Sequence, residues 1–203
     1  LGIAISEAIE AVVKSAGKAK YALGSVLGHV LLHQTINGNE AILQMEQAGD
    51  YPDIIVGCTG GGSNLAGLMF PFLGQQLRGG QKIDIIGCEP LSCPSFTKGK
   101  YAYDHGDMAR MTPLIKMHTL GSDFLPPANH SGGLRYHGMS YHLSHLYDLG
   151  LMRAKAYGQK DCFEAGVIFG KQEGIIPAPE GNHAVKGAID AALECKEKGE
   201  SKT

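Results

Sequence analysis

The sequence predicts an α/β protein built on a mostly parallel sheet, and three observations carry that expectation. Residues 54–89 spell strand, glycine loop, helix, strand, the order of a βαβ unit. A further strand-like run, Met152–Gly158, leads directly into a helical stretch. Apolar residues recur at helical spacing near both ends of the chain.

Taken in order, residues 3–16 place Ile5, Ala8, Ile9, Val12 and Val13 at helical spacing, with Ser6 and Glu7 near the start and Gly17 as a stop. Two further helical runs are expected at 25–33 and 35–48, the second ending at Gly49. Ile54–Cys58 is short, apolar and β-branched, as a buried parallel strand should be. Ser63 and Asn64 open a helix through about Leu73 or Leu77, with Pro71 expected to bend or shorten it. The turn RGGQ precedes a second strand at 82–89, parallel to the first. Pro90–Pro127 is expected to be irregular, a long loop of the kind that covers a site. Residues 129–148 read as part loop and part helix. Asp161 is expected to cap a helix that ends at Gly174. A last helix runs from His183 to about Lys198, with Ala184, Ala188, Ile189, Ala192 and Leu193 on one stripe. The polar tail KEKGESKT carries no closing strand.

Composition sets outer limits. At 203 residues the chain can build one good core, or one domain and part of another. A net charge of −2 gives no sign of a nucleic-acid partner. No apolar run of about 18 residues suggests a membrane span, and Leu1–Glu10 has no basic leader ahead of an apolar stretch. Cys58, Cys88, Cys93, Cys162 and Cys195 are odd in number and form no CxxC. They point to a reduced, cytoplasmic chain, not a disulfide scaffold or zinc knuckle. Glycine is about double its usual share, which fits tight βα turns.

The chemistry concentrates in Thr59–Gly67, TGGGSNLAG. A glycine loop at the carboxyl end of a parallel strand, running into a helix, is an anion cradle. Its backbone N–H groups and the positive end of the helix dipole point into one small space. Ser63 adds a hydroxyl and Asn64 an amide. GxxxxGK[ST] is absent, GxGxxG is met only loosely, and no acidic residue sits where a ribose would need it. A terminal phosphomonoester fits better than a nucleotide. Glycines required only for a tight turn are the simpler alternative, though a third glycine followed by Ser-Asn exceeds what a turn needs.

TGGGSNLAG, read with GIIPAPEGNHA at 174–184, resembles the β chain of tryptophan synthase, a family of fold type II pyridoxal-phosphate enzymes. LGSVLGHVLLHQT, EPLSCPSF and SGGLRYHGM resemble the second, divergent branch of that family. The resemblance implies a three-layer αβα fold and pyridoxal 5'-phosphate as cofactor. It puts Gly60, Gly61, Gly62, Ser63 and Asn64 on the cofactor phosphate and Glu180 beside its ring. Residues 1–48 become the tail of a smaller N-terminal domain, and 49–203 a cofactor-binding C-terminal domain, incomplete at its end. The implied reaction is β-replacement, joining L-serine or a serine-like substrate to indole to give L-tryptophan. The implied partners are a second copy in a homodimer and a tryptophan synthase α chain.

Departures from the pattern matter equally. The family's lysine motif for the Schiff base has no counterpart here, and neither does the last strand, with its Ser-Gly-x-Gly stretch. The chain therefore reads as lacking both ends of the active site, with no catalytic residue of its own identified. Threonine-synthase-like or serine-deaminase-like chemistry on the same scaffold stays open, as does a non-catalytic phosphate-ligand domain. Arg135 stands where the main branch has an acidic residue, and a cation facing substrate suits an anionic group; a surface arginine is the alternative. His29 and His33, four apart, could hold a metal, but Val30, Leu31 and Leu32 favour a buried helix and no metal site is expected. His137, His142 and His145 are expected on a polar helix edge. Glu89, at the sheet edge that carries the glycine loop, and His183 are more simply structural.

Overall fold

Three parallel strands organise the protein, whose computed structural model describes all residues from Leu1 to Thr203. The elements are α1 (Gly2–Lys14), α2 (Gly28–Ala48), β1 (Ile54–Cys58), α3 (Ser63–Leu77), β2 (Asp84–Pro90), β3 (Lys100–His105), β4 (Leu114–Thr119), α4 (Tyr141–Asp148), β5 (Arg153–Tyr157), α5 (Gln159–Glu173) and α6 (Gly181–Lys198). The sheet order is β1-β2-β5, with Ile54 opposite Asp84 and Ile86 opposite Arg153.

Side chains alternate across this sheet and feed two cores. Ile55 and Ile85 meet Leu65, Met69 and Phe72 of α3. Ile86 and Cys88, with Ile54 and Val56 beside them, meet Tyr157, Cys162 of α5 and Ala191 of α6. Helices therefore cover both faces, which is why β1 and β2 are apolar runs without polar alternation.

The two helical runs expected at 25–33 and 35–48 are one helix, α2, and Ser25–Leu27 lie outside it. Gly38, which could have marked a break, is instead the point where α2 crosses α3. A Cβ at Gly38 would lie 2.4 Å from the Leu68 carbonyl oxygen and 2.7 Å from that of Gly67. Gly67 is equally tight against Gln34. Pro71 neither stops nor shortens α3, which runs on to Leu77. Proline removes the donor that the Gly67 carbonyl would have met one turn earlier, and the close approach of Gly38 covers that oxygen.

Pro90–Pro127 is not irregular throughout. Lys100–His105 and Leu114–Thr119 pair as an antiparallel hairpin. The alternation in KYAYDH, with Tyr101 and Tyr103 on one side, was the signal for it. Asp161 is not the cap of α5; Gly158 is, and Asp161 sits in the first turn. Gly174 ends α5 in the left-handed conformation, as expected (φ 70°). The last helix begins at Gly181 rather than His183. Thr203 meets the start of β1, its carbonyl accepting from the amides of Asp53 and Ile54 at 2.8 and 3.1 Å. No helix is long and apolar enough to cross a membrane.

Asp107, in the hairpin turn, fastens that turn to α1. It is fully buried. One carboxylate oxygen accepts from Ser6 Oγ at 2.7 Å, the other from Thr112 N and Thr112 Oγ1 at 2.9 and 2.8 Å. Burial alone would raise its pKa, but these donors and the Met111 amide together outweigh burial and hold it at about 2. A depressed carboxylate pKa stabilises the fold above the unfolded value of 3.8 and stops doing so as pH falls through the folded value. Stability is expected to drop by about 2 kcal/mol between roughly pH 4 and pH 2 through this group. Urea titrations across that range should show the drop in the native protein and a flatter profile in Asp107→Asn.

Candidate functional site

The glycine loop leaves β1 at its carboxyl end. Thr59 still belongs to the sheet, its amide donating to the Cys88 carbonyl at 2.8 Å, and α3 starts its ladder with Ala66 N on Gly62 O at 2.9 Å. Between them, no amide from Gly60 to Leu65 donates to a protein acceptor. Gly61, Gly62, Ser63 and Leu65 are nonetheless buried. Buried backbone donors are normally paired. A run of unpaired ones at a helix start, with the dipole behind it, has the chemistry of an anion site. The residues present therefore fit a phosphate group.

Why three glycines stand here has a second answer. A Cβ at Gly60 would lie 2.4 Å from the Gly133 carbonyl oxygen. At Gly61 it would meet Val26 Cγ2 at 2.4 Å and Ser25 Oγ at 2.6 Å, and at Gly62 Leu143 Cδ1 at 2.5 Å and Met139 Sδ at 2.6 Å. Gly62 also has φ 95°, in the left-handed region. The side-chain direction of each glycine thus points into protein. Glycine brings neighbouring segments close behind the loop.

Of the side chains expected at the site, Ser63 is buried and its Oγ lies 3.3 Å from Ser25 Oγ. Asn64 is exposed, its Nδ2 donating to Cys58 Sγ at 3.4 Å. Burial pushes the Cys58 thiol up, and the nearby Glu180 charge adds to that. Glu180 immediately precedes α6 and accepts the Gly133 amide at 2.9 Å. Gly60–Asn64 and Glu180 are therefore joined through Gly133. Arg135 lies two residues further on and faces elsewhere: its Nη2 donates to the Pro126 carbonyl at 2.9 Å, and its Nε is buried without a partner.

The remaining candidates make contacts within the fold or lie at its surface. Glu89 is fully buried and accepts from the Phe96 and Thr97 amides and Thr97 Oγ1 at 2.6–2.9 Å. It ties the turn after β2 to the sheet. His183 is buried with Nδ1 on the Pro179 carbonyl at 3.1 Å, and burial lowers its pKa. His142 and His145 lie on the exposed face of α4, but His137 does not: it is buried, with Nε2 on the His105 carbonyl at 2.8 Å. His29 and His33 stack edge to face, and no third His, Cys, Asp or Glu joins them.

Ser25 and Val26 escaped sequence reasoning. Val26 is buried with φ 69°, an uncommon and strained setting for a β-branched residue. That turn lays Ser25 and Val26 against Gly61. A left-handed valine has no sequence signature.

Three comparisons with known proteins bear on the family and the fold. Residues 7–203 match the model of the family described as pyridoxal-phosphate dependent enzyme. The chain is 58% identical over its whole length to tryptophan synthase beta chain 2 of Aquifex aeolicus, covering 47% of that protein. It is 55% identical over its whole length to the protein of the same name from Methanosarcina mazei, covering 46% of it. The chain thus spans about half the length of these curated relatives. Among solved structures, a threonine deaminase from T.th. superposes with a TM-score of 0.67 at 16% identity, over 92% of this chain and 60% of that one. That likeness concerns the fold.

Proposed function

Because the chain belongs to the pyridoxal-phosphate dependent enzyme family, whose cofactor is pyridoxal 5'-phosphate, we propose that it is part of an enzyme that joins L-serine, or a serine-like substrate, to indole. The observation that carries the reading is the run of unpaired amides from Gly60 to Leu65. In this reading they hold the cofactor phosphate, with Ser63 and Asn64 adding side-chain donors and Glu180 standing beside the ring. When bound, the pyridoxal group supplies an electron sink at the amino acid's Cα. The loop's task is to fix the phosphate so that the ring keeps one position through the reaction. Residues 1–48 would be the tail of a smaller N-terminal domain, and 49–203 the cofactor-bearing one.

A cavity of about 250 Å³ supports indole as the acceptor. Ile5, Ile9, Leu23, Val26, Tyr136 and Met139 line it. Val26 and Met139 are the residues packed behind Gly61 and Gly62, so the cavity adjoins the glycine loop. Tyr21 also lines it, with its hydroxyl buried and unpartnered. A largely apolar wall with one unpartnered hydroxyl suits a flat aromatic ligand that carries one N–H.

The test offers the whole gene product L-serine or O-phosphoserine together with indole and follows tryptophan. Tryptophan from either donor supports the reading. Elimination to a keto acid without tryptophan favours a deaminase-like reaction, and cofactor binding without turnover favours a phosphate-ligand domain. If Arg135 swings from Pro126 toward the substrate, Arg135→Ala should lower kcat/KM for phosphoserine roughly tenfold or more beyond its effect on serine. Equal effects would leave Arg135 as a loop anchor. Light scattering, alone and with a tryptophan synthase α chain, reads the proposed homodimer and the second partner.

A further inference from the structure

Gly133 lies between two parts of the site that the function above treats separately. Its amide donates to Glu180 Oε1 at 2.9 Å. Its carbonyl oxygen abuts Gly60, close enough that a Cβ there would come within 2.4 Å. The segment around it braces the glycine loop again further along, where Ser140 N donates to Gly61 O at 2.9 Å and Met139 packs on Gly62. Upstream, Ser131 Oγ donates to the Pro179 carbonyl at 3.4 Å, so the start of the brace is tied to the Pro179–Glu180 turn. Residues 131–140 thus form a strut against the back of the loop, and Glu180 holds one end of it.

From this we infer that Glu180 is a positioning residue for the phosphate cradle, acting through Gly133, in addition to any contact with the cofactor ring. The carboxylate fixes the Gly133 peptide. That peptide sets the place of Gly60, the first unpaired amide of the cradle. The inference rests on the cofactor reading of the loop but not on the reaction.

Comparing pyridoxal 5'-phosphate with pyridoxal, which lacks the phosphate, separates the two roles. Affinities of the apo form of the whole protein for each are measured by equilibrium dialysis, for native protein, Glu180→Gln and Glu180→Ala. Glu180→Ala is expected to weaken pyridoxal phosphate roughly three- to tenfold more than pyridoxal, the scale of one lost hydrogen bond. Glu180→Gln keeps an acceptor oxygen and should retain most of the difference between the two ligands. Inorganic phosphate should weaken in parallel with the phosphorylated ligand. Equal losses for both ligands in Glu180→Ala, with phosphate binding intact, would overturn the inference and leave Glu180 as a ring contact only. Failure of native protein to bind pyridoxal phosphate would instead overturn the cofactor reading. Circular dichroism and Tm of each variant confirm a folded protein, and Gly133→Ala, whose new Cβ would press on Glu180 at 3.3 Å, gives a second route to the same loss.

Discussion

Gly61→Val is expected to weaken pyridoxal-phosphate binding at least a hundredfold. The cause is not a methyl group placed in the phosphate's space. The new Cβ would lie 2.4 Å from Val26 Cγ2 and 2.6 Å from Ser25 Oγ, so the loop must move forward or residues 25–26 must retreat. Val26 already sits in a strained conformation, with φ 69°, and has little freedom to yield. A shifted loop misaims several amides together. Each hydrogen bond to a charged group contributes about 1.5–3 kcal/mol, so losing two reaches a hundredfold. Fluorescence titration of apo protein gives the number. Unchanged affinity in a folded variant would mean that the phosphate is held elsewhere.

Gly38→Ala is expected to destabilise the fold strongly, although it lies outside the site. Glycine inside a helix ordinarily costs about 1 kcal/mol relative to alanine, so an exposed Gly→Ala change in α2 would stabilise. Here the added carbon would stand 2.4 Å from the Leu68 carbonyl oxygen and 2.8 Å from Pro71 Cδ. Backbone cannot give way as a side chain can. The helices must separate, exposing the Gly67 oxygen and loosening the contacts of Leu31 and Phe72. A net loss of about 2–3 kcal/mol follows from overpacking on this scale, and a shift in the urea midpoint at constant slope would register it. A stabilised variant would show that α2 and α3 are not held at backbone distance.

The parallel βαβ unit was legible because its signals are local: two β-branched runs, a glycine loop, and a helix between them. The glycine loop that joins β1 to α3 was legible for the same reason. What lay beyond reach depended on partners distant in sequence. Gly38 gains its meaning only when α3 is placed against it, and Pro71 reads as a residue that bends or shortens its helix until Gly38 is seen. The hairpin at 100–119 had its alternation but was hidden among Gly, Lys and Asp residues typical of loops. The glycine triplet was read as room for a ligand. It equally makes room for Gly133, Val26 and Met139, and only the positions of those residues could show it. Arg135 was singled out by its charge, yet a carbonyl from Pro126 occupies its guanidinium.

On the proposed reading, the amides of Gly60 to Leu65 hold a phosphate group. Amide chemical shifts of ¹⁵N-labelled protein during titration with inorganic phosphate, and then pyridoxal phosphate, test it most directly. Saturable downfield shifts confined largely to these six amides, following one binding curve, are expected, because hydrogen bonding to an anion deshields the N–H it engages. Saturable binding of pyridoxal phosphate that leaves these resonances in place and moves another set would contradict it.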